Sequence, residues 1–70
     1  MHMVIAPMAG TVSRVLVRAG DAVTSGQDVV ILESMKMEIA VQAEVSGRVT
    51  AVQVNEGAFV DEDTILLEVE

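Results

Sequence analysis

The sequence predicts an all-β fold of short strands, as in a small barrel or sandwich. Two observations support this prediction: the kind of apolar residues present and an internal repeat. Of the 70 residues 51% are apolar, yet Phe59 is the only aromatic one, so valine, isoleucine, leucine and alanine must form the core. β-Branched side chains favour strands because they are stiff and fit a pleated surface. Glycines divide the chain into the short segments that are typical of such folds.

The second observation is an internal repeat with an offset of 37 residues, which aligns Ala6 with Ala43, for example. The alignment of the two halves needs no gap. It predicts two halves of about four strands each, related by a pseudo-twofold axis. One mismatch aligns Gly26 with Asp63, and aspartate also tolerates turn conformations. The recurring glycines at positions 10, 20, 47 and 57 are expected to form turns. The other matched pairs are Val12 and Val49, Val15 and Val52, Val17 and Val54, Val23 and Val60, and Val29-Val30 with Leu66-Leu67.

The breaks and the repeat place the strands in order. Residues 3–6 form an apolar segment that ends at Pro7, and residues 12–18 lie between two glycines. Residues 22–24 are too few for more than an edge strand, and residues 28–34 follow the next glycine. In the second half the expected strands are residues 37–43, 48–54 and 64–69, with a short edge strand at residues 58–60.

Residues 33–44 are rich in helix formers, so propensity alone would allow a helix. Their polarity alternates instead, which is the period of a strand and places Lys36 on the polar side. The apolar set is Met35, Met37, Ile39, Val41, Ala43 and Val45, and the opposite set is Lys36, Glu38, Gln42, Glu44 and Ser46, with Ala40 as its apolar exception.

A turn is predicted at Met35-Lys36. No glycine, proline, asparagine or aspartate lies between Val29 and Val45, and one strand of that length would be unusual in so small a domain. The repeat implies that the halves meet near residues 34–38, although neither residue is one that tight hairpins prefer. Local rules tend to be broken at functional sites. The turn therefore draws attention to Lys36, the only lysine of the chain.

Composition excludes several classes of function. The formal net charge of −7 argues against partnership with nucleic acid or anionic membranes. No apolar run approaches the length of a membrane span. The absence of cysteine excludes disulfides and thiolate metal sites and fits a reducing, cytoplasmic location. A stand-alone enzyme is not expected, because the chain has no tyrosine, no internal histidine and no carboxylate pair evidently set in a cleft.

The segment Glu33-Ser34-Met35-Lys36-Met37 resembles the Glu-Ala-Met-Lys-Met motif of biotin carboxyl carrier domains, members of the biotin/lipoyl attachment family. The segments at residues 6–10, 20–21 and 26–27 resemble turns of the same family. The resemblance covers essentially the whole chain and implies one biotinyl domain over residues 1–70. Ser34 replaces the commoner alanine, a small-for-small change. The equal halves leave no room for the extra loop, or thumb, of some acetyl-CoA carboxylase carriers.

The resemblance implies a flattened barrel of two four-stranded antiparallel sheets with Lys36 at a hairpin tip and both termini at the opposite end. A biotin protein ligase would join biotin to Lys36 through an amide. A biotin carboxylase would then load a carboxyl group and a carboxyltransferase would remove it, with the domain acting as a monomeric, non-catalytic carrier. Met35 and Met37 would either contact biotin or the ligase, or fill gaps at the end of the barrel.

Two alternatives stay open on the sequence. A lipoyl carrier of a 2-oxoacid dehydrogenase shares this fold, but such domains typically have Asp-Lys-Ala where this chain has Met35-Lys36-Met37. An unmodified barrel-sandwich module, as in membrane-fusion adaptors, would have no need of an acceptor lysine.

Overall fold

The computed structural model describes residues 1–70 and contains eight strands and no helix. Every expected strand is present, and most bounds differ from the expected ones by one or two residues. The second strand differs most, since it ends at Val15, whose N–H donates to Glu56 Oε2 at 3.0 Å. The strands are β1 (His2–Ile5), β2 (Gly10–Val15), β3 (Ala22–Val23), β4 (Asp28–Ser34), β5 (Met37–Gln42), β6 (Gly47–Val52), β7 (Phe59–Val60) and β8 (Ile65–Val69).

The strands form two four-stranded antiparallel sheets, in the orders β1-β8-β6-β3 and β5-β4-β2-β7. Adding 37 to the residue numbers converts β2 into β6 and β3 into β7 without any shift of their bounds. The same operation relates β1 to β5 and β4 to β8, so the two strand orders are equivalent. The predicted fold class, a flattened barrel-sandwich with pseudo-twofold symmetry, is confirmed.

Hydrogen bonds in the loops follow the same symmetry. The Gly20 N–H donates to Val49 O at 2.8 Å, and the Gly57 N–H donates to Val12 O at 2.7 Å. Both glycines have positive φ, 99° and 92°, in a region that glycine enters at little cost. The expected turns at these two positions are confirmed.

The aligned pair of Gly26 and Asp63 also forms equivalent turns. The Gly26 N–H donates to Ala43 O at 2.8 Å, and the Asp63 N–H donates to Ala6 O at 2.9 Å. Their φ values are 90° and 72°. The prediction that the turn survives the substitution is therefore confirmed.

The positive φ of Asp63 leads to a prediction about the free energy of unfolding. Asp63→Val is expected to lower the free energy of unfolding by about 1–2 kcal/mol, because a β-branched side chain strongly disfavours that backbone region. Asp63→Gly is the matched control and should stay within about 0.5 kcal/mol of the parent, since relief of strain offsets the greater freedom of the unfolded chain. Urea unfolding measures both variants, and equal stability of the two would contradict the prediction.

The expectation that Gly10 and Gly47 form turns is wrong. They are the first residues of β2 and β6, and neither has a positive φ. Glycine is needed there for another reason, because another segment's backbone approaches too closely to leave room for a Cβ atom.

The core lies between the two sheets and contains only apolar side chains. Fifteen buried apolar residues form one cluster, with no buried polar or charged residue among them. Phe59, on β7, is 67% exposed, so the one aromatic ring lies outside the core. Leu32 of β4 is fully buried, so the strand is anchored in the core two residues before it ends at Ser34. No helix of the protein could cross a membrane.

Candidate attachment site

The β4–β5 hairpin ends in a two-residue turn formed by Met35 and Lys36. The last cross-strand pair is Ser34 with Met37, which leaves only these two residues in the loop. Their φ values are 52° and 65°, and positive φ at both central residues is what a type I′ turn requires. The predicted turn is confirmed. Outside glycine this backbone region costs about 1–2 kcal/mol per residue, so the turn is strained.

The side chains of the turn project into solvent. Met35 is 92% exposed, Met37 is 63% exposed, and Lys36 is exposed between them. Lys36 takes part in no salt bridge, since the only pair within 4.0 Å joins His2 and Glu44. Met35 and Met37 therefore do not fill gaps in the barrel, which corrects that interpretation. A contact of either methionine with biotin or a ligase stays a prediction.

Two carboxylates face each other in the cross-strand pair next to Ser34 and Met37. Glu33 and Glu38 are directly opposite in the β4–β5 ladder, and both are exposed. Like charges in such a position are mildly destabilising. Neither carboxylate forms a salt bridge with Lys36, so both belong to a solvated face.

Gly10 supports the base of the hairpin, which sequence reasoning missed. The β2–β4 register pairs Thr11 with Glu33 and so places Gly10 opposite Ser34. A Cβ atom on Gly10 would lie 2.9 Å from the Glu33 carbonyl oxygen and 3.5 Å from Ser34 Cβ. The only sign of this close contact in the sequence was the glycine itself, and a glycine is equally compatible with a turn.

The twofold mate of the attachment turn falls at the ends of the chain, because residue 35 shifted by 37 in either direction lies beyond residues 1–70. There β1 pairs with β8, His2 lying opposite Val69. No group of three or more histidine, aspartate or glutamate side chains is arranged to hold a metal ion.

The geometry is that of a small domain that presents its only lysine side chain on a strained turn. A family model described as "Biotin-requiring enzyme", of the biotin/lipoyl class, matches residues 2–69. The chain belongs to this biotin/lipoyl family. A biotin/lipoyl attachment protein of Bacillus subtilis is 54% identical over 61 residues, covering 87% of this chain and 84% of that protein. The biotin carboxyl carrier protein of Streptococcus mutans is 46% identical, covering 80% of this chain and 43% of that protein.

Solved structures with this biotin/lipoyl fold come from large carboxylases. A domain of the Kluyveromyces lactis urea carboxylase matches with a TM-score of 0.92 and 26% identity. A single-chain, multi-domain long-chain acyl-CoA carboxylase matches with a TM-score of 0.88 and 33% identity. This chain is covered to 99% and 94% respectively, but it spans only 6% of either protein.

Proposed function

We propose that this chain is a biotin carboxyl carrier in which Lys36 is the residue that becomes biotinylated. The observation that carries the proposal is the position of the only lysine, exposed at the tip of a strained two-residue turn. An accessible lysine amine has the chemistry that an amide attachment needs, and Lys36 is the only lysine. The names of its relatives point to biotin, because they include a biotin carboxyl carrier protein and subunits of methylcrotonoyl-CoA carboxylase.

The attachment step requires a neutral amine. The Lys36 Nζ would attack the acyl carbon of a biotinyl adenylate, forming the amide C–N bond as the acyl–phosphate bond breaks and AMP leaves with its electron pair. Only the neutral amine has the lone pair that this attack needs, so a base must take the proton of the ammonium form. No carboxylate of the chain forms a salt bridge with Lys36. A biotin protein ligase would therefore supply the base, and the chain would supply a fixed presentation of the amine.

The carrier itself takes no catalytic part in the proposal. When bound, biotin carries a carboxyl group between a biotin carboxylase and a carboxyltransferase. The hairpin holds the attachment point, and the tether raises the effective concentration of the group at both partner sites. The acidic, cysteine-free composition supports a monomeric carrier in the cytoplasm as part of the same proposal.

Intact mass spectrometry tests this function. The folded chain is incubated with a biotin protein ligase, biotin and MgATP, and in parallel with a lipoyl ligase and lipoate. We expect one biotinyl group per chain, mapped to the peptide that contains Lys36, and no addition when ATP is left out. A ligase that modifies a known carrier but leaves this chain unmodified would refute the proposal. Lipoyl transfer alone would identify the lipoyl alternative, which the name of the Bacillus subtilis biotin/lipoyl attachment protein includes.

A further inference from the structure

We infer that Gly10 is a positioning residue for modification of Lys36, which rests on the function proposed above. Gly10 lies in β2, outside the hairpin that carries Lys36, and is buried. Gly10 is the first residue of β2 and lies opposite Ser34, the last residue of β4 before the attachment turn.

The spacing of β2 and β4 at this point is unusually small. Cβ atoms of directly opposite residues in antiparallel strands are normally about 4.5–5.5 Å apart. A Cβ atom on Gly10 would lie only 3.5 Å from Ser34 Cβ, and 2.9 Å from the carbonyl oxygen of Glu33. Neither contact is to the flexible end of a side chain, so β4 would have to move. Because φ of Gly10 is not positive, close approach is what demands glycine here.

The consequence falls on the turn. Ser34 is the residue directly before Met35 and pairs with Met37, so it is the base of the hairpin tip. Close packing against Gly10 fixes that base from the side of β2, while Met37 fixes it from the side of β5. A displaced Ser34 would shift the Lys36 amine relative to the sheet surface that a ligase must contact. A misplacement of about 1 Å can cost up to about a hundredfold in rate.

The internal repeat supplies a matched control. Gly47 occupies the twofold-equivalent position, and a Cβ atom there would contact the Glu70 carbonyl oxygen and the Val69 side chain. The chemical change is the same, and the crowding is tighter than at Gly10, because the added Cβ atom would lie 2.9 Å from Val69 Cγ1 and closer still to the Glu70 carbonyl oxygen. The crowded segment, however, is the end of β8 rather than the base of the attachment turn.

The experiment compares Gly10→Ala with Gly47→Ala in the ligase reaction, at a temperature at which thermal unfolding has shown both variants to be folded. We expect Gly10→Ala to lower kcat/KM of the ligase for the chain by about ten- to a hundredfold. Gly47→Ala should stay within about twofold of the parent, as a site remote from the reaction should. Backbone amide shifts should change at Met35, Lys36 and Met37 in the first variant only. Equal kcat/KM for the two variants, or unchanged shifts at the turn, would overturn the inference.

A second pair of variants keeps the test decisive if Gly10→Ala does not fold. Ser34→Val crowds the same contact from β4 while Gly10 is retained, and Ser34→Ala keeps the Cβ atom without the added bulk. Slow modification of the valine variant together with normal modification of the alanine variant is the expected result. Normal modification of both would refute the role of Gly10. Failure of the parent chain to accept biotin would instead refute the proposed function, so the two failures are distinguishable.

Discussion

Lys36→Arg is expected to abolish biotinylation completely while leaving the fold unchanged. A guanidinium stays protonated in proteins and offers no neutral primary amine for attack on an acyl adenylate. The side chain is exposed and forms no salt bridge, so its replacement by another long cation should change the free energy of unfolding by less than about 0.5 kcal/mol. Intact mass after reaction with ligase and urea unfolding measure the two results.

A lysine placed elsewhere tests whether the turn is needed as well as the amine. Arg14 is exposed on β2, in the same sheet as the attachment hairpin. Arg14→Lys in the Lys36→Arg background restores one lysine but presents it from the middle of the sheet. We expect this variant to remain unmodified. Biotin on Lys36→Arg protein, or on the relocated lysine at the parent rate, would contradict the assignment of the turn as the recognised feature.

Combining Met35→Asn with Lys36→Gly is expected to raise stability and to remove biotinylation. Both residues have positive φ, which costs about 1–2 kcal/mol at each L-residue, whereas Asn-Gly is the preferred type I′ pair. Replacing Met35 removes little buried apolar surface, because its side chain is 92% exposed, so the loss that opposes this gain is small. Greater freedom of glycine in the unfolded chain removes part of the gain, which leaves about 1–2 kcal/mol. Stability gained at the expense of function is a common exchange.

The single variant Met35→Asn separates the two effects. It keeps Lys36 and should still accept biotin, with about half of the stability gain of the double variant. Urea unfolding with an unchanged slope measures the stability of both. A lower midpoint for the double variant would show that Met35 stabilises the tip in spite of its exposure. Loss of biotinylation in Met35→Asn would assign Met35 itself a part in recognition.

The sequence was sufficient wherever a local pattern and the repeat agreed. Alternation of polarity after Met35 is a property of neighbouring residues, so it identified β5 and excluded a helix without any tertiary information. The gapless repeat then predicted the symmetry of the two sheets and the turn at Asp63, because equivalent backbone paths need equivalent turns. Lys36 emerged as the candidate site from its uniqueness and from a turn without turn residues.

The tertiary structure decided the features that depend on residues far apart in the sequence. The Val15 N–H at the end of β2 donates to the Glu56 carboxylate, which is 41 residues away in the chain. Gly10 is a strand residue because the backbone of Glu33 lies against it. Met35 and Met37 are exposed because the hairpin extends past the core that buries Leu32. Periodicity reports which face a residue occupies, but only packing determines what, if anything, lies against that face.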